Sequence, residues 1–61
     1  MNKARRKRLD NVVEELQVIL EEEEEAWDNL PENFQYSERG DTMQENIGQI
    51  QSAIDEIEMI E

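Results

Sequence analysis

An all-α fold is what the sequence predicts: an antiparallel helical hairpin that pairs with a second copy into a four-helix bundle. Three observations lead there. Apolar residues recur at alternating intervals of three and four in two segments, the spacing that lays one stripe along an α-helix. A single proline, Pro31, stands between the segments. The chain has 61 residues, no Cys and no His, so it lacks the disulfides and the commonest metal ligands that staple domains near the lower size limit. Sharing a core between two protomers is the remaining common device.

The first helix is expected over residues 3–29. From Leu9 one apolar row runs through Val12, Leu16 and Ile19, while Val13, Leu20 and Trp27 form a second row at intervals of seven. Two rows make a stripe broad enough to face more than one neighbour. Carried forward, the three-four pattern passes through Glu23, Ala26 and Leu30, so one seam position falls inside the run of glutamates from Glu21 to Glu25. Pro31 has no backbone N–H and disfavours helical conformation at Leu30, which predicts a stop near Asn29.

A connection is expected over residues 30–40. Pro31 suits the first position of a new turn, and the stretch "PENFQ" can form one short helical turn. The second helix is expected over residues 41–60, because "TMQE" from Thr42 has the form of a capping box. Asp41 and Ser37 are the alternative caps, and a start at Ser37 would put Gly40 in the first turn as a weak point. Met43, Ile47, Ile50, Ile54 and Ile57 then keep heptad spacing, and Ala53 and Ile60 widen the face. Two heptads are short for a free-standing coiled coil, so this segment is expected to pack on the first helix.

Antiparallel pairing with Trp27 near Met43 brings Leu9 level with Glu61. Residues 1–8 then form a basic overhang that projects past the second helix by roughly 10 Å, at 1.5 Å per residue. Two hairpin helices offer one seam, yet both carry spare apolar positions. A homodimer is therefore expected, in parallel or antiparallel arrangement, with Leu9, Val13, Leu16, Leu20, Trp27, Ile47, Ile50, Ile54 and Ile57 as core or interface.

Charge is unevenly distributed along the chain. The formal net charge is -11; Lys3, Arg5, Arg6, Lys7 and Arg8 are five of the six basic residues, and everything from Asp10 onward sets 17 acidic residues against Arg39 alone. High charge with low hydropathy is also the composition of disordered chains, but disorder gives no reason for three-four spacing. No apolar run approaches the roughly 20 residues that span a bilayer, and "LDNVVEEL" after the basic start lacks the apolar stretch of a signal peptide. No membrane association is expected, and the expected compartment is the cytoplasm.

Paired carboxylates can act as acid and base or hold a hard cation. Here neither His nor Cys accompanies them, and neither a Gly-rich phosphate loop nor a Ca²⁺-loop pattern is present. No enzymatic activity, cofactor or metal is expected. The glutamate run turns about 100° per residue and so encircles its helix. It also stands near a helix C-terminus, where the macrodipole disfavours negative charge. Solvation explains Glu21, Glu22, Glu24 and Glu25; a basic partner is the functional alternative. Such a partner could be a protein surface built to hold DNA, which an acidic rod would mimic.

The basic cluster is the counterpart. Arg5, Arg6 and Arg8 could contact nucleic-acid phosphates, but no aromatic neighbour is placed to stack on a base, and the acidic remainder of the chain repels DNA. Nucleic acid is thus a disfavoured partner. Pairing with Asp55, Glu56, Glu58 or Glu61 of the neighbouring helix end, or with a glutamate run of another chain, is preferred. Trp27 continues the Val13 and Leu20 row and reads as core or interface; Phe34 and Tyr36 either plug the closed end or form an exposed patch. Arg39, set among carboxylates, is expected to hydrogen-bond within the loop or to the first helix end.

The stretch "DNLPENFQYSERGDTMQENI", preceded by "MNKARRK" and followed by an acidic helix with Ile/Ala spacing, resembles small acidic helical-hairpin proteins of bacteriophages, prophages and related mobile elements. The specific part is the connection: Asp28, Asn29, Leu30, Pro31, Glu32, Gln35, Ser37, Glu38, Arg39 and Gly40. The resemblance implies an accessory protein of a bacterial cell and carries no catalytic or ligand residues with it. The function expected from all of this is a non-enzymatic protein-interaction module that modulates a host or phage protein. The alternatives are an acidic DNA-mimic inhibitor of a nucleic-acid enzyme, such as a restriction or CRISPR nuclease, and a nucleic-acid binder acting through the basic segment.

Overall fold

In a computed structural model, which describes residues 1–61, three helices follow one another: α1 (Lys3–Asp28), α2 (Glu32–Gln35) and α3 (Glu38–Glu58). α1 and α3 pack side by side as a helical hairpin, with α2 laid against α3 at the closed end. α1 begins where Asn2, in extended conformation, accepts a hydrogen bond at Oδ1 from the Arg5 backbone N–H at 2.8 Å. This satisfies one of the donors that every helix start leaves unpaired.

The seam is a single heptad stripe on each helix. On α1 the residues withdrawn from solvent are Arg6, Leu9, Val13, Leu16, Leu20, Glu23 and Trp27; on α3 they are Gly40, Met43, Ile47, Ile50, Ile54 and Ile57. Both keep the alternation of three and four. Val12 and Ile19, expected in the first row, lie outside the stripe and are exposed. At 100° per residue they point about a quarter-turn away from Val13 and Leu20. The interior is thin: Ile54, at 1% exposure, and Leu20, at 8%, are its only fully buried apolar side chains.

α1 stops as Pro31 requires. The Asn29 and Leu30 N–H groups close its last turn onto the carbonyls of Glu25 and Trp27 at 3.0 and 3.1 Å. Pro31 then serves as N-cap of α2, its carbonyl accepting from the N–H groups of Phe34 at 2.8 Å and Gln35 at 3.2 Å.

α3 starts at Glu38, three residues ahead of the expected Asp41. Ser37 is its N-cap: the hydroxyl accepts from the Gly40 N–H at 3.4 Å and donates to the Phe34 carbonyl at 2.5 Å. The physical reason for the early start is Gly40, which lies so close under α2 that a Cβ there would stand 2.2 Å from the Gln35 carbonyl oxygen. With no side chain at this point the last turn of α2 rests directly on the first turn of α3. Thr42, the capping candidate, lies inside the helix, where its hydroxyl donates to the Glu38 carbonyl at 3.0 Å.

The expected overhang of residues 1–8 is absent. Leu9 shares a groove with Ile57 and Glu58, and Glu61 lies beside Met1, its carbonyl oxygen 3.3 Å from the N-terminal ammonium. After Glu58 the chain closes one further turn, the Met59 and Ile60 N–H groups donating to the Glu56 and Ile57 carbonyls at 3.3 and 3.1 Å, and this turn sets residues 59–61 beside the start of α1. The Arg6 guanidinium donates to the Ile60 carbonyl and supplies the cation that the last turn of α3 lacks.

Candidate functional site

The hairpin presents two unlike faces, one on each side of the seam. On the first, an open groove of about 410 Å³ runs between the helices, lined by Leu16, Ile19 and Glu23 of α1 and by Asn46, Ile50 and Ala53 of α3. Val12 at 48% exposure and Ile19 at 39% continue it along α1. This surface is largely apolar. Singly exposed apolar residues need no explanation, but two in line beside an apolar groove make this face the candidate contact surface.

The second face is polar. Clefts there are lined by Asp10, Glu14, Gln17, Glu21, Glu24 and Asp28 of α1, facing Gln44, Gln51 and Glu58 of α3. Their spacing of four and three keeps them in one row beside the seam. Gln51 Nε2 donates to the Asp55 carboxylate at 3.1 Å, a contact within α3.

The glutamate run is split by this geometry. Glu21 and Glu24 belong to the polar face, Glu22 and Glu25 stand exposed around the helix, and Glu23 is half-buried against the apolar groove. No cation of the chain lies within salt-bridge distance of any of them, because the only ion pair is Arg6 with Asp10 at 3.7 Å, one helical turn apart. The intrachain pairing expected for the basic cluster is therefore not formed. Lys3, Arg5, Lys7 and Arg8 are exposed, and Arg6 alone is half-buried. No three carboxylates converge in a way that would hold a metal ion, and no helix is long and apolar enough to cross a membrane.

The predicted core or interface residues all fall on the seam: Leu9, Val13, Leu16, Leu20 and Trp27 from α1, Ile47, Ile50, Ile54 and Ile57 from α3. Trp27 lies beside Ile47 and Gln44, and its indole Nε1 is buried with no hydrogen-bond partner. Phe34 and Tyr36 do not plug the closed end; both are exposed. Arg39 is exposed as well, and the bond expected of it is made by Gln35, whose Nε2 donates to the Trp27 carbonyl at 3.1 Å. Sequence reasoning missed Asn2 as a cap and Gln35 as the closing bond. It also read Val12 and Ile19 as seam. The period-seven row Arg5, Val12, Ile19, Ala26 was the signal that could have separated them from it.

No protein-family model matches the chain, and no curated protein or solved structure is significantly similar to it.

Proposed function

We propose that this chain is a non-enzymatic protein-interaction module, working as a homodimer and belonging to the accessory proteins of a bacterial or phage setting. The observation that carries the reading is the uncovered apolar face. A hairpin that buries only Leu20 and Ile54 and leaves Val12 and Ile19 in water beside an apolar groove gains from covering those side chains with another protein surface, since apolar area removed from water contributes about 25 cal/mol per Å². Pairing the hairpins into a four-helix bundle covers that face and leaves the acidic face outward for a host or phage protein. The resemblance of the connection supports the setting.

Affinity capture from a bacterial lysate with the immobilised chain tests the module. A partner retained by the wild type and lost on reversing Glu21 and Glu24 to Lys supports it. Equal retention by both removes the acidic face from recognition.

The row of Asp10, Glu14, Glu21, Glu24 and Asp28 on one face favours one second reading, an acidic DNA mimic that occupies the basic groove of a nucleic-acid enzyme. Under that reading the captured partner is a DNA-binding protein, and duplex DNA displaces it. Retention unaffected by excess DNA argues against mimicry.

A further inference from the structure

The surface of α1 beside the seam is bipolar. Arg5 and Arg8 lie at one end, Val12 and Ile19 in the middle, Glu22 and Glu23 at the other. At 100° per residue all six fall within one side of the helix. Such a face is its own complement when a copy is laid on it in the opposite direction: Val12 meets the partner's Ile19, and the arginines meet the partner's glutamates.

We infer that a second copy of this chain covers the apolar groove in antiparallel orientation, with the closed ends at opposite ends of the bundle and Arg5 and Arg8 of each hairpin against Glu22 and Glu23 of the other. The inference rests on the homodimer just proposed and adds its face, its direction and its ion pairs.

Three observations choose this occupant and this direction. The first is charge. Arg5, Arg8, Glu22 and Glu23 have no ion-pair partner within their own chain, and Glu23, half-buried against the groove, has its carboxylate where a cation from outside is the available compensation. A parallel arrangement brings the two basic ends together and the two glutamate runs together, so like charges face each other along both ends. The antiparallel arrangement replaces both repulsions with attraction. Glu15 lies within the same arc near the two-fold axis, where it opposes the Glu15 of the second copy, a single like-charge approach set against the attractions at both ends.

The second is area. The hairpin is 48 Å long and 15 Å wide, a face on the order of 700 Å², close to the ~800 Å² per partner of a stable interface. The third is shape. Ala53, a small residue of α3, lines the same groove as Leu16, the midpoint of the α1 pairing, so the two α3 helices can approach closely where the axis passes.

The test measures mass and direction separately. Light scattering on the full chain should give twice the monomer mass at micromolar concentration; a monomer overturns the homodimer and this inference together. Because the chain has no Cys, Asn33→Cys in the exposed α2 places one spin label at each closed end. An antiparallel bundle should give a label separation of about 40–50 Å, the length of the rod. A dimer with labels closer than about 25 Å has its hairpins parallel, which overturns the inference and leaves the homodimer standing.

A charge swap tests the ion pairs. Arg5→Glu with Arg8→Glu in one chain, and Glu22→Lys with Glu23→Lys in the other, should each weaken self-association at least tenfold with helicity unchanged by circular dichroism. Mixing the two variants should restore a dimer of mixed composition, since each then meets an opposite charge at both ends. Two variants that remain as dimeric as the wild type, or a mixture that does not recover, overturn the assigned pairs.

Discussion

The closed end and the shaft of the hairpin are held by different means. At the closed end, Ser37, Gln35 and Gly40 fix three backbone segments by hydrogen bonds and one close approach, and little apolar surface is involved. Along the shaft, α1 and α3 meet through side chains alone, and Leu20 and Ile54 are the only fully buried side chains. Polar geometry thus sets the register, while the shaft supplies the apolar energy and is short of it. The two glycines carry the same contrast: a Cβ on Gly40 would collide with the Gln35 carbonyl, and one on Gly48 would meet nothing.

The largest effect is expected in the shaft. Ile54→Ala empties the best-buried position and should cost about 2–5 kcal/mol, enough to unfold a domain of this size at ambient temperature by circular dichroism. Should it cost less than the closed-end changes, the shaft is not the source of stability and the comparison breaks. Next comes Gly40→Ala, expected to cost about 1–3 kcal/mol in urea melts because the added methyl must push α2 off α3. Neutrality there would show that the closed end does not depend on close approach.

Smaller effects sharpen the contrast. Ser37→Ala should cost about 1 kcal/mol through the lost cap. Gly48→Ala should move the other way and stabilise by about 0.5–1 kcal/mol, because it removes backbone freedom from an exposed helix interior without a clash. Opposite signs for the two alanines are the expected thermal-melt signature; equal signs would mean that one of the two environments differs from that described. Trp27→Phe should be the smallest change, within about 1 kcal/mol of the wild type, since the indole N–H it deletes has no partner.

Periodicity made most of the hairpin legible. The Met43 to Ile57 row and the Leu9, Val13, Leu16, Leu20, Trp27 set could be placed on the seam from spacing, and Pro31 located the stop. Val12 and Ile19 could not be separated from the seam, because positions one residue apart both satisfy a broad helical stripe. The start of α3 was illegible for a related reason. Ser37, Asp41 and Thr42 are all favoured cap types, and the choice rests on Gly40, whose role depends on the path of a neighbouring turn.

Taken alone, then, the sequence determined that there are two amphipathic helices with a stop between them, and that acidic charge dominates everything after Arg8. These follow from local backbone chemistry and from the 3.6-residue period, which act within a few residues of each other. Only the tertiary structure decided which apolar residues form the seam and which the open face. It also decided that Ile60 and Glu61 lie against the basic start of α1, and that Glu23 meets the groove. Those outcomes depend on the rotation and offset of one helix against the other, set by contacts between residues far apart in the chain.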